Sequence, residues 1–212
     1  MTATALSTSF WDRIADRYAA RPVPDEAIYE EKLAITRRYL NEDTALLEVG
    51  CGTGTTAIKH APHVGHVHAT DISARMIEIA NERARAADVD NLTFEQASLD
   101  DLELPEASVD VVLALSLLQL VEDRDKAIEQ IRRWLKPGGV LVTSTACLGD
   151  NMAWFRFVAP VGKALGLMPM VKIFSMDDLR QSLGAAGFVE ELDWPTADGR
   201  TLFAVSRKAG DP

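Results

Sequence analysis

Two periods of hydrophobic patterning take turns along the chain. Apolar runs predict strands at residues 44–49, at "GHVHATD" ending on Asp71, at "LTFEQA", at residues 109–115, and at "VLVTST", "GFVEELDW" and "TLFAVSRK". Between them, apolar residues recur every three or four positions, the spacing of one helical face. Residues 55 to about 60 open a helix behind a glycine turn. Ser73 is a good N-cap for the next, whose Met76, Ile77, Ala80 and Ala84 share a face while Glu78, Glu82 and Arg85 point away. Asp123 can cap a helix carrying Ala127, Ile128, Ile131 and Leu135 inward, and "KPGG" stops it. Ser175 caps a last helix that ends near Gly187.

Strands alternating with helices imply right-handed βαβ winding, hence an open parallel sheet with helices on both faces. The run at 109–115 is apolar almost without interruption, which predicts a central strand covered on both sides. The last two strands are joined by a tight "ADGR" turn and form an antiparallel hairpin. The predicted fold class is therefore α/β: a Rossmann-like, doubly wound, mostly parallel seven-stranded sheet with a C-terminal antiparallel hairpin. One domain over residues 1–212 is expected. It divides into an N-terminal helical cap (1–40), a ligand-binding core (41–146), an insertion (147–175) and a C-terminal helix and hairpin (176–208).

Composition narrows the partners. With 47% apolar and 25% charged residues, 212 positions suffice for one globular core. A net charge of -10 leaves no basic surface for a phosphate backbone, so no nucleic-acid partner is expected. The start "MTATALSTSFWDRIADRY" has neither the basic nor the apolar region of a signal peptide, and no uncharged stretch approaches a bilayer span. The expected location is cytoplasmic, without stable membrane insertion. Cys51 and Cys147 are too few for a disulfide framework and are expected to be free thiols. Monomer and homodimer both remain open.

The candidate chemistry centres on "LLEVGCGTGTTA", where Gly50, Gly52 and Gly54 fall within five positions at the end of the first strand. Glycines accept positive φ and let backbone approach a ligand, and in open α/β sheets ligands sit beyond the carboxyl ends of the strands. Gly52, Gly54 and Ala57 formally satisfy the G-x-G-x-x-A dinucleotide pattern, which is weak alone. The wider context points elsewhere. "E-V-G-C-G-T-G", with Glu48 two residues before the first glycine, together with "ATDIS", "FEQASLDDLELPEASVDVVLA" and "LLQLVEDRDKAIEQIRRWLKPGGVLVTST", resembles class I S-adenosylmethionine-dependent methyltransferases. The likeness runs from about residue 46 to 145. The start "FWDRIADRYA" is most similar to the small-molecule branch that includes quinone-biosynthesis methyltransferases.

That resemblance implies S-adenosylmethionine as cofactor, S-adenosylhomocysteine as its product, and a set of contacts. Glu48, Gly50, Cys51 and Gly52 fall in the turn that meets the amino-acid part. Asp71 ends strand two, where its carboxylate can accept from both ribose hydroxyls and suits a cofactor carrying a sulfonium. Ile72 and Met76 offer apolar faces to the adenine. The family commonly has Asp at the end of strand three; here Ser98 stands there, with the Leu99 amide facing the ring, while Asp100 and Asp101 lie one short register shift away. Leu115 falls where the family's backbone contacts the cofactor. Tyr18 is expected to close the N-terminal helix over the methionine end.

Methyl transfer from a sulfonium needs in-line geometry more than a nucleophilic side chain, so no catalytic residue is assigned. Acceptor contacts are expected outside the common core: Tyr29 near the N-terminus, Gln119 in "LSLLQ", and Trp154 in the insertion. "DNMAWFRFVAPVGKALGLMPMVKIF" repeats Trp154, Phe157, Val158, Val161 and Leu165 at helical spacing with Arg156 and Lys163 off that face. Pro160, Gly162, Gly166 and Pro169 break it into pieces, as in a lid, and the expected acceptor is small and apolar or aromatic. The quinone enzymes' "R-N-V" is replaced by "QLV". Cys51 reads as a space-filling residue. His63, His66 and His68 lie away from the expected crevice, and no metal is expected. Two alternatives stand beside the leading one: a non-catalytic S-adenosylmethionine-binding regulatory module, and an NAD-dependent oxidoreductase, for which no Tyr-x-x-x-Lys follows.

Overall fold

The computed structural model describes residues 3–152, 154–155, 158–159 and 168–210, with side chains from Ser7 onward. Its strands form one mixed seven-stranded sheet in the order β3-β2-β1-β4-β5-β7-β6. The chain divides into two compact units, Met1–Leu102 and Glu103–Pro212, so the division falls inside the expected ligand-binding core. Among the described residues, no helix is long and apolar enough to cross a membrane.

The first unit holds α1 (Ala3–Ala19), α2 (Glu26–Arg37), β1 (Ala45–Val49), α3 (Thr55–His60), β2 (His66–Asp71), α4 (Ala74–Ala86) and β3 (Leu92–Gln96). β2 lies between β1 and β3, parallel to both, with Val49 opposite Thr70 and Asp71 opposite Gln96. Leu46, Leu47, Val67 and Ala69 are buried, as expected of strands covered on both faces. Ser73 caps α4 by accepting from the Met76 amide at 3.1 Å. The buried face of α4 carries Met76, Ile79, Ala80 and Ala84; Ile79 takes the place expected for Ile77. The reason lies with α1, whose Ala15, Trp11 and Ala19 pack on Met76 and Ile79 and draw the apolar face to that side.

The second unit holds β4 (Val109–Leu115), α5 (Arg124–Trp134), β5 (Leu135–Ala146), α6 (Met176–Ala185), β6 (Phe188–Pro195) and β7 (Thr201–Lys208). β4 has its expected bounds and is buried along most of its length. α5 ends one residue early, at Trp134. Leu135 already belongs to β5, and "KPGG", expected only to stop the helix, lies inside that strand as a bulge. Val109 pairs with Leu135 and Val111 with Val140, so the intervening Lys136–Gly139 must loop out opposite Asp110. Gly138 makes this possible with φ +74. Ser175 and Asp178 form a reciprocal capping box at the start of α6. β7 runs antiparallel between β5 and β6, and the predicted hairpin is present.

Candidate active site

The glycine turn leaves β1 and enters α3. Gly50, Gly52 and Gly54 all have positive φ, at +73, +54 and +75. At Gly54 the demand is also spatial: a Cβ there would lie 2.6 Å from Phe94 Cζ and 2.8 Å from Ala80 Cβ. β3 and α4 therefore approach the turn too closely for any other residue.

Most of the turn's amides are already engaged. Gly50 and Cys51 both donate to the Thr70 carbonyl, at 2.8 and 2.9 Å, and Gly54 donates to the Cys51 carbonyl at 3.0 Å. Gly52 donates to Asp71 Oδ2 at 2.9 Å, and Asp71 Oδ1 accepts from the Ser73 amide at 2.9 Å. A turn whose amides point inward in this way is a poor cradle for pyrophosphate, which needs free N–H groups.

Its electrostatics are acidic. Glu48 is 3% exposed, and its Oε2 has no hydrogen-bond partner among the described residues. Burial, reinforced by the nearby Asp71 charge, pushes its carboxyl up to about 8. Burial likewise raises Asp71 above the ordinary carboxylate range, against the pull of the Ser73 and Gly52 amides. The Cys51 thiol is raised by burial and then by Glu48 and Asp71, which keeps it protonated and inert. Both carboxyls are raised and most of the amides beside them are engaged, so the turn offers an anion few free N–H donors.

Two tyrosines complete this part. Tyr18 on α1 lies so close to Gly52 that a Cβ on the glycine would be 3.8 Å from Tyr18 Cε1. Trp11 meets Tyr18 edge-on at 6.3 Å between ring centroids. Desolvation raises the Tyr18 hydroxyl, and the charges of Asp71 and Glu48 add to it. Tyr29 on α2 hydrogen-bonds Thr56 Oγ1 at 3.1 Å, and burial raises its hydroxyl, with Glu48 contributing. Lys59 lies over the Tyr29 ring and pairs with Glu30. Tyr29, assigned to the acceptor on sequence, thus reaches from α2 to the first turn of α3.

The remaining candidates in this unit have mixed placements. Ile72 is partly exposed, and its carbonyl accepts from Gln96 Nε2 at 3.2 Å. Met76 is 2% exposed and packs with Ala15 and Ile79. Ser98 Oγ donates to Asp101 Oδ2 at 2.6 Å while the Asp101 amide approaches Ser98 Oγ at 3.2 Å. The hydroxyl and the carboxylate that the sequence offered as alternatives are therefore one bonded pair, with partly exposed Leu99 between them.

Three further candidates lie in the second unit. Leu115 ends β4, and Ser116 after it has φ +56, a left-handed conformation costly for a non-glycine residue. The Ser116 amide donates to the Ser144 carbonyl at 2.6 Å, and Gln119 Nε2 donates to the Ser116 carbonyl at 2.9 Å. Gln119 is buried, with Oε1 unpartnered among the described residues. Trp154 is 57% exposed and meets Phe155 edge-on. The expected lid residues Arg156, Phe157, Pro160, Val161, Gly162, Lys163, Leu165 and Gly166 lie outside the described residues. The two ends of that segment meet: the Gly149 amide donates to the Phe174 carbonyl at 2.8 Å, and Asp150 Oδ2 accepts from the Met176 amide at 2.9 Å.

His66 and His68 lie on β2 and contact Thr93 and Glu95 of β3. Among the described residues, no group of three or more His, Cys, Asp or Glu is placed to hold a metal ion. Sequence reasoning missed Arg83. A charged residue falling between Ala80 and Ala84 on the buried side of α4 was the available signal.

Comparison with known proteins points to a methyltransferase domain. Residues 46–139 match the family described as "Methyltransferase domain". The chain is 37% identical over 148 residues to 27-O-demethylrifamycin SV methyltransferase of Amycolatopsis mediterranei, covering 69% of this chain and 54% of that protein. Residues 46–139 form a methyltransferase domain of the class I S-adenosylmethionine-dependent kind. The chain is also 30% identical over 136 residues to demethylmenaquinone methyltransferase of Listeria welshimeri, covering 58% of this chain and 56% of that protein. The chain thus spans about half the length of these curated relatives. Geranyl diphosphate C-methyltransferase from Streptomyces coelicolor shares the fold, with a TM-score of 0.77 and 15% identity over 99% of both chains. S-adenosylmethionine is the cofactor of this methyltransferase family.

Proposed function

We propose that this protein transfers a methyl group from S-adenosylmethionine to a small apolar or aromatic acceptor. The observation that carries the reading is the pair of carboxyl groups at the glycine turn. Glu48 keeps a buried oxygen without a partner among the described residues, and Asp71 retains lone pairs beyond its bonds to the Gly52 and Ser73 amides. A cofactor ammonium would draw the Glu48 carboxyl back to its ionised form and satisfy the first, and ribose hydroxyls would satisfy the second. Bound there, S-adenosylmethionine would supply an electrophilic methyl on its sulfonium, the new bond to the acceptor forming as the sulfur–carbon bond breaks to leave the thioether of S-adenosylhomocysteine. Glu48, Gly50, Gly52 and Asp71 would hold its amino-acid and ribose parts, with Tyr18 over the turn. Ile72, Ser98, Leu99 and Leu115 are our proposed adenine-side contacts. This chain's residues contribute orientation and exclusion of water, and no acid or base is required by the displacement itself.

The acceptor class rests on exposed Trp154 and Val158 in the insertion, with Gln119 as a polar contact, and on the names of the rifamycin and menaquinone relatives. The oxidoreductase alternative fits poorly, since the amides of Gly50, Cys51, Gly52 and Gly54 are already engaged and a pyrophosphate needs free ones. Titration calorimetry with S-adenosylmethionine, S-adenosylhomocysteine and NAD tests the class. Micromolar binding of the first two and none of the third is expected; binding of NAD alone would reject the reading.

A further inference from the structure

Arg83 makes an unusual set of contacts from the middle of α4. Its Nη1 donates to Thr53 Oγ1 at 2.6 Å, to Thr55 Oγ1 at 3.0 Å and to the Thr53 carbonyl at 3.4 Å. Its Nη2 donates to the Ala19 carbonyl at 2.8 Å. Thr53 lies between Gly52 and Gly54, Thr55 is the first residue of α3, and Ala19 is the last residue of α1. One guanidinium thus joins the glycine turn to the end of the N-terminal helix.

We propose that Arg83 is a positioning residue for cofactor binding, holding the C-terminal end of α1 against the turn so that Tyr18 stays over Gly52. This rests on the reading of the turn as the cofactor site. Other contacts hold the rest of α1. Asp12 accepts from Ser73 Oγ at 2.6 Å, Asp16 pairs with Arg75 at 2.6 Å, and Ala15 packs on Met76 and Ile79. These act at Asp12, Ala15 and Asp16, at least two residues before Tyr18; beyond it Ala19 also packs on that cluster, so Arg83 adds a polar tie to an apolar contact at the helix end.

The last carbonyls of a helix lack partners within it, and a cation there is favoured by the helix dipole. Arg83 supplies that cation to Ala19, one residue after Tyr18. Its planar fork reaches both sides of the joint, which the single ammonium of a lysine cannot reproduce. Loss of Arg83 should free Tyr18 without detaching α1.

The test uses Arg83→Met, Arg83→Lys and Tyr18→Ala in the full chain, read by two methods. Without cofactor, amide hydrogen exchange at Ala20 and Arg21 should quicken in Arg83→Met while exchange in the core of β1 and β2 stays as in the parent. With S-adenosylhomocysteine, Arg83→Met should raise Kd about tenfold and Arg83→Lys by less. The double variant Arg83→Met/Tyr18→Ala should bind no more than about twofold worse than the weaker single variant, because both act by one route. Parent-like exchange at Ala20 and Arg21, or losses that multiply in the double variant, would overturn the proposal. Failure of the parent to bind S-adenosylhomocysteine would instead reject the cofactor reading, leaving the exchange result to judge the joint alone.

Discussion

Gly52 and Asp71 are locked together: the amide of one donates to a carboxylate oxygen of the other at 2.9 Å across the mouth of the turn. The second oxygen accepts from Ser73 at the start of α4, so a single carboxylate ties β2 to two neighbouring elements. Asp71 is therefore structural before any ligand arrives. Asp71→Ala should cost about 1–3 kcal/mol of stability through two unpaired amides, and weaken cofactor binding by roughly 1.5–3 kcal/mol through lost charge-assisted hydrogen bonds. Thermal melting and calorimetry on the same sample separate the two. A variant with normal melting and normal affinity would remove Asp71 from both roles.

Two buried groups give stability a pH dependence of opposite sign. Glu48 is raised from 4.5 to about 8, so between those values the folded state holds a proton that the unfolded state has released. Stability from this group falls as pH rises through that window, by at most about 1.4 kcal/mol per unit. His60, 0% exposed and with neither ring nitrogen bonded among the described residues, is lowered by burial, then by Arg37, from 6.5 to about 4. There the unfolded state binds the extra proton, and stability falls as pH drops from 6.5 to 4. The two slopes oppose one another between 4.5 and 6.5, and only the Glu48 slope remains between 6.5 and 8. Urea titrations across pH 4–9 should show Glu48→Gln removing the alkaline decline and His60→Phe flattening the acid limb. An unchanged alkaline limb in Glu48→Gln would contradict the protonated carboxyl.

How far these features were legible in the sequence depends on their range. The seven strands and the caps Ser73, Asp123 and Ser175 follow from local periodicity and side-chain chemistry, and appear as expected. The "KPGG" bulge was misread because glycine after a helix signals a stop equally well whether the chain turns away or continues into a ladder. At the site, glycine spacing marked the turn, but nothing local shows that Asp71 holds the Gly52 amide or that Ser98 holds Asp101. Arg83 was hidden for the same reason. Its partners are 28 to 64 residues away, and only the fold brings them together.

Trp154 gives the insertion a test that precedes knowledge of the acceptor. The residue is 57% exposed, and its one described ring partner is its neighbour Phe155. A side chain so placed contributes little to packing, so Trp154→Ala should change stability by less than about 1 kcal/mol, against the roughly 3–5 kcal/mol expected of a buried tryptophan. Cofactor affinity should stay within about twofold of the parent, since no proposed cofactor contact involves this residue. With a hydrophobic acceptor in hand, the same variant should lose turnover or acceptor affinity, because an exposed aromatic in a segment anchored at Gly149–Phe174 is available to cover an apolar ligand. A melting temperature lowered as far as a core substitution lowers it would assign Trp154 to packing and take the apolar-acceptor argument with it. Unchanged melting, unchanged cofactor binding and impaired turnover together would fix the insertion as the acceptor's cover.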